Sequence, residues 1–150
     1  MLRTNKAKTK KQTIARLTLF SELVKSNVPN EGFRMDRYVS KYDAKLKCGF
    51  VCCLVGWLPA IFPKFFRWSQ VGPSWMTKLH DFPTFDPKSQ VMRFFGISAE
   101  VFDHLFAGTE LRNEQGRVIA AAVPDMRTIK RDSALYRVNR VVRMMEEGRI

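Results

Sequence analysis

The chain has 150 residues, 45% of them hydrophobic, and its 26 Lys and Arg against 14 Asp and Glu leave a net charge of +12. That length suits one domain able to bury roughly 70% of its unfolded surface, so neither a disulfide nor a metal is needed to hold it together. The three cysteines, Cys48, Cys52 and Cys53, are odd in number and two are adjacent, which excludes a disulfide framework. The N-terminus is charged with no apolar stretch behind it, so no secretory signal is expected and the thiols are read as free in a reducing setting.

Residues 1–12 are polar and basic and are expected to form a disordered arm, leaving 13–150 as a single mainly α domain. Thr13 is a candidate N-cap, and Ile14, Leu17, Phe20 and Val24 recur at helical spacing, so a helix is expected from Thr13 to Ser26, ended by Pro29, Asn30 and Gly32. Met35 to Tyr42 form a weaker second candidate. Phe50 to Leu58 carries no charge and reads as a buried helix or a buried strand. Gly49, Cys52, Cys53 and Gly56 fall three or four apart and favour a closely packed helix, which Pro59 would close.

Pro63 to Pro87 is rich in proline and aromatics and is expected to be an irregular connector wrapped on the core. Asp86-Pro87 is an N-cap followed by proline at the first helical position, and the helix should run to Phe95 and stop at Gly96. Ser98 should start another helix, with Phe102, Leu105 and Phe106 inward and Gly108 as its stop. Asn113 to Gly116 is a turn signal. Arg117 to Val123 is open between strand and helix, the three alanines tipping it towards helix. Leu135, Val138, Val142 and Met145 mark a last amphipathic helix.

Several chemistries can be weighed on these residues. Zinc needs four ligands, and the only histidines, His80 and His104, stand alone. The uncharged run Cys48 to Phe62 has 15 residues, fewer than the ~20 of a spanning helix, so no stable membrane insertion is expected. Residues 90–106 have the outline of a helix-turn-helix, but the second helix would offer DNA two acids, Glu100 and Asp103, with Ser98, Ala99 and His104. An ordinary helical hairpin fits better. A Cys48 thiolate with His80 or His104 as base would need the fold to join them, and no motif for catalysis is present. No enzyme activity, cofactor or metal is expected.

The charge is the remaining signal. Arg3, Lys6, Lys8, Lys10, Lys11 and Arg16 all precede the first acid, Glu22, and Arg137, Arg140 and Arg143 lie three apart on the last helix. Such runs serve equally as solvated surface or as polyanion-binding surface. Lys64, Arg67 and Lys78, interleaved with Phe65, Phe66, Trp68 and Trp75, would add stacking rings if those rings are exposed.

The order of motifs resembles a group of small uncharacterised proteins of tailed phages and prophages. The matching residues are Phe33, Met35, Cys48, Gly49, Cys52, Gly56, Trp57, Phe95, Gly96, Leu105 and Phe106, over about residues 14–108. Cys53 departs from the pattern, as do the basic ends. The resemblance implies a phage origin and carries no activity and no site residue. With the charge, it gives the expectation of a non-enzymatic phage accessory protein in the host cytoplasm, or in the virion. Its partner would be a polyanion, nucleic acid first. An acidic host or phage protein comes second, and a role as decoy for anionic signalling nucleotides or as a virion component also fits. The oligomeric state is left open.

Overall fold

The computed structural model describes residues 4–30, 33, 54–71, 74–84, 86–123, 125 and 129–150. Arg3, the three cysteines and the candidate helix Met35 to Tyr42 lie outside the described residues. The described chain is helix-rich, with two short antiparallel hairpins.

The first helix, α1, spans Lys10–Asn27 and begins three residues before the expected start. Thr9 is its N-cap, its hydroxyl accepting from Gln12 N, while Gln12 reaches back to accept from Lys8 N at 2.7 Å. Two orphan donors of the helix entry are thereby satisfied. Thr13 is instead buried, its hydroxyl 3.3 Å from the carbonyls of Thr9 and Gly96. Leu17, Phe20 and Val24 are the buried stripe, as expected. Residues 4–9 do not extend away as an arm: Ala7 is buried, Ala7 N donates to Arg93 O, and Asn5 Nδ2 donates to His80 O.

The described half of the central apolar segment is buried from Leu54 to Pro59 but is not a helix closed by proline. Leu54 to Trp57 are turns, and Pro59 lies in the first turn of a short helix, α2 (Leu58–Ile61). Proline lacks the N–H that a first turn leaves unpaired anyway, so it opens this helix.

The expected irregular connector contains a hairpin. Strand β1 (Phe66–Val71) pairs antiparallel with β2 (Ser74–Leu79), in register from Phe66↔Leu79 to Val71↔Ser74. Phe66, Trp68, Thr77 and Leu79 share one face, and Phe66, Thr77 and Leu79 on it are buried. Trp68 Nε1 donates to Gly56 O and Thr77 Oγ1 to Val55 O, fastening the hairpin to the buried turns. The aromatic residues thus serve strand pairing and core packing together.

Helix α3 spans Pro87–Phe95 with Asp86 as N-cap and Gly96 at φ +69° as C-cap. A Cβ on Gly96 would meet the Thr13 hydroxyl at 2.7 Å and Ala7 Cβ at 3.0 Å, so glycine is needed for both conformation and space. Phe94 and Phe95 are fully buried and lie at the centre of the aromatic core, with Phe94 4.9 Å from Phe66 and 5.1 Å from Phe62, and Phe95 5.2 Å from Phe20. Helix α4 (Ala99–Phe102), capped by Ser98, continues as a π-helical turn over Asp103–Ala107 and ends at Gly108, φ +80°.

The ambiguous segment resolves as a strand. β3 (Leu111–Arg112) pairs with β4 (Val118–Ala120) across a turn in which Asn113 Oδ1 accepts from Gln115 N and Arg117 N. Seven residues between Gly116 and Pro124 offer too few turns for alanine propensity to decide against a turn already committed to a hairpin. The last helix, α5 (Arg131–Glu146), buries Leu135, Val138, Val142 and Met145 as expected. Arg131 Nη1 donates to Val28 O at the end of α1, while Met145 shares a small cleft with Thr9, Lys10 and Thr13 at its start, so α1 and α5 run antiparallel.

Candidate functional site

The antiparallel pairing brings the two basic ends of the sequence to one end of the molecule. Lys6, Lys8, Lys10 and Lys11 are exposed there, as is Arg143 near the close of α5. The lysines are held in place. The Thr9 and Gln12 caps fix the turn that carries Lys8, Lys10 and Lys11, and the Ala7–Arg93 and Asn5–His80 bonds fix the irregular segment before it. Residues fixed beforehand lose less conformational entropy when a partner binds. No acidic residue stands in the first turn of α1. Glu146 and Glu147 close α5 at this end, Glu147 pairing with Arg149 at 3.6 Å, and Asp81 follows the His80 to which Asn5 is bonded. Lys64 is exposed on the rim of an apolar groove that runs along α1 and is also lined by Gln12, Leu19, Leu23, Ile61 and Phe65. Arg67 is exposed on the outward face of β1.

Two of the expected cations, Arg16 and Arg137, are buried. Arg16 is 3% exposed, and its guanidinium lies 4.6 Å from the centre of the Phe94 ring. Nη1 donates to Phe94 O at 2.7 Å and Nη2 to Thr4 O at 2.6 Å. Phe94 O is one of the carbonyls that a helix leaves unpaired in its last turn, so Arg16 caps α3 and meets the negative end of its dipole. Burial lowers its pKa. Helical spacing alone could not separate Arg16 from the lysines. The signal was its place one residue before Leu17 on the buried stripe.

Arg137 is 6% exposed and likewise turned inward. Nη2 donates to His104 O at 2.7 Å and Nη1 reaches Ala121 O at 3.4 Å. Burial lowers its pKa, and the neighbouring charge of Arg140 lowers it further. The three arginines of α5 step round the helix, so Arg137 is buried, Arg140 half-buried and Arg143 exposed. They do not form one row on the surface.

His104 was expected to face outward and is instead fully buried. Its Nδ1 lies 2.7 Å from Thr109 O, a group that can only accept, so Nδ1 carries the hydrogen. Burial above all, with the charges of Arg137 and Arg140, lowers its pKa to about 4, and Nε2 is buried without a partner among the described residues. Asp103 pairs with Lys88 at 2.9 Å. The second helix of the supposed DNA reader therefore has one acid tied to its neighbour helix and its histidine inside.

Of the candidate stacking rings, Phe65, Phe66 and Trp68 are not free platforms for bases, and the Trp75 side chain lies outside what is described. Phe62 and Phe66 are buried, Phe65 is half-buried against Phe94 at 5.4 Å, and Trp68 is half-buried and hydrogen-bonded. Among the described residues no group of three or more His, Cys, Asp or Glu could hold a metal ion, and no described helix is long and apolar enough to cross a membrane. No known protein family, curated protein or solved structure matches the chain.

Proposed function

We propose that this protein is a non-enzymatic accessory protein that binds a polyanion, nucleic acid first, through the end where Lys6, Lys8, Lys10 and Lys11 meet Arg143, with Lys64 on the rim of the groove along α1. The observation that supports this most directly is the fixed, exposed cluster of four lysines at the start of α1, with no acid in its first turn. Cations spaced along a surface attract a phosphate backbone by releasing its counterions, and this attraction carries no sequence preference. With Phe66 in the core and Phe65 and Trp68 half-buried, those rings offer little for base stacking and contacts to the phosphate backbone dominate. If the resemblance to tailed-phage proteins holds, such binding would take place in an infected cell or in the particle.

The test is binding to duplex DNA and to single-stranded RNA across a salt series, for the full chain and for a variant with Lys6, Lys8, Lys10 and Lys11 all changed to Gln. Log affinity should fall linearly with log salt, and the slope should shrink by about 0.9 for each duplex phosphate contact removed. The melting temperature of the variant should stay near that of the parent, because these side chains are exposed. Failure of both nucleic acids to bind at near-physiological salt with Kd below about 10 μM sinks the nucleic-acid proposal. Capture of an acidic protein from nuclease-treated lysate, lost in the same variant, would move the partner to the second class.

A further inference from the structure

A second basic feature lies beside the first half of α5, away from the lysine end. It is a cavity of about 430 Å3 with Val123 as apolar wall and Ser133, Tyr136, Arg137 and Arg140 as polar wall. Asp132 also borders it, but that carboxylate is 72% exposed and paired with Arg131 at 3.0 Å.

Among the described lining residues the only carboxylate is Asp132, so the charge of the two arginines in this wall is not balanced there. Arg137 is more than nine-tenths buried, and its hydrogen bonds go to the carbonyls of His104 and Ala121. His104 Nδ1 stands 3.1 Å from Arg137 Nη2, yet it carries a hydrogen for Thr109 O and has no lone pair to offer. Nε of Arg137 and Nε of Arg140 are both buried without a partner among the described residues. Burying a guanidinium with neither a carboxylate nor a full set of acceptors is unfavourable, and a second guanidinium beside it adds repulsion. An anion between them removes both costs.

The donor set defines the anion. Two planar guanidinium groups and two hydroxyls match the oxygens of a phosphoryl group better than a single carboxylate. Tyr136 is 59% exposed, and the Arg140 guanidinium lies 5.7 Å from the centre of its ring. That ring offers a face on which a planar group can stack. The volume falls within the range of small-molecule sites, ~300–1,000 Å3. We propose that this cavity binds a small phosphate monoester, a nucleoside monophosphate being the class that fits it best, with the phosphoryl group held by Arg137, Arg140 and Ser133 and the base on Tyr136.

The experiment is calorimetric titration of the full chain at constant ionic strength with adenosine 5′-monophosphate, inorganic phosphate and adenosine. The monophosphate should bind with Kd below about 1 mM, within ordinary small-ligand affinities, phosphate more weakly, and adenosine not at all. Arg140→Gln, at a half-buried position, should keep the melting temperature and weaken the monophosphate by about tenfold or more, the worth of a lost charge-assisted bond. Tyr136→Ala should weaken the monophosphate and leave inorganic phosphate unchanged. No binding of either phosphate at about 10 mM, well above the expected Kd, overturns the proposal. So does a monophosphate affinity unchanged by Arg140→Gln, or one lost only in the four-lysine variant, which would put the anion at the basic end.

Discussion

Arg16 and Arg137 are two buried arginines set to a similar task in different surroundings. Each reaches from a long helix to a carbonyl near the close of a short one, Phe94 O for Arg16 and His104 O for Arg137, both at 2.7 Å. Arg16 completes its environment within the fold: a second carbonyl from Thr4, the face of Phe94, and no nitrogen that is both buried and without a partner. Arg137 has a weak second carbonyl, a histidine whose facing Nδ1 carries a hydrogen and cannot accept, Arg140 as neighbour and an Nε buried without a partner among the described residues. A buried cation can be wholly structural where carbonyl dipoles and a ring answer it. Where they do not, the surplus charge faces a cavity, and a ligand has something to bind.

The largest expected effect falls on the completed side. Arg16→Met removes two short charge-assisted hydrogen bonds and leaves the carbonyls of Phe94 and Thr4 without their donor. It should destabilise the protein by about 3–5 kcal/mol in urea denaturation. A loss below about 1 kcal/mol, the size of an ordinary exposed contact, would show that Arg16 is not the clasp between α1 and α3.

The next effect tests the other side by pH. The folded pKa of His104 is lowered to about 4, so the fold favours the neutral ring. Its contribution is fully present above pH ~6.5, the ordinary histidine value, and is lost as pH falls from there through the folded value. The parent should lose on the order of 3 kcal/mol over that window from this group. His104→Gln should flatten that part of the curve, whatever its stability at neutral pH. Parallel curves for the two proteins would place the ring in contact with water.

The smallest effect completes the comparison. Arg137→Met orphans the His104 carbonyl but also removes an uncompensated charge and its repulsion with Arg140. It should therefore cost less than Arg16→Met, about 1–2 kcal/mol. Added phosphate should widen the gap between the parent and Arg137→Met, because only the parent is stabilised by the bound anion. A gap that ignores phosphate would remove the difference between the two arginines.

Much of the helical framework was legible in the residues themselves, because its signals are local. Leu17, Phe20 and Val24 recur with the period of a helix, Asp86-Pro87 supplies a cap and a fixed φ, and Gly96 and Gly108 adopt positive φ at helix ends. Each depends on residues within a turn or two of one another. The hairpins were harder. In β1 and β2 the aromatic residues obscured an alternation that the pairing of Phe66 with Leu79 makes plain, and in β4 a short alanine run spoke for helix against the Asn113 turn. The start of α1 was misplaced by four residues at its cap because Thr9 and Thr13 carry the same side chain. Only the carbonyl of Gly96, 83 positions away, takes Thr13 inside.

The candidate sites divide along the same line. That Lys6, Lys8, Lys10 and Lys11 form a basic cluster follows from the sequence, since neighbours on a capped helix start stay neighbours in any fold. That Arg16 and Arg137 are buried, that Arg143 shares an end with the lysines, and that Arg137, Arg140, Ser133 and Tyr136 enclose a cavity was decided by tertiary structure. A side chain's charge is a property of the residue. Whether that charge is answered by a helix carbonyl, a ring, a second cation or solvent depends on segments distant in sequence, and here the antiparallel packing of α1 and α5, the docking of α1 against α3 and that of α5 against the π-helical turn after α4 supply the answer.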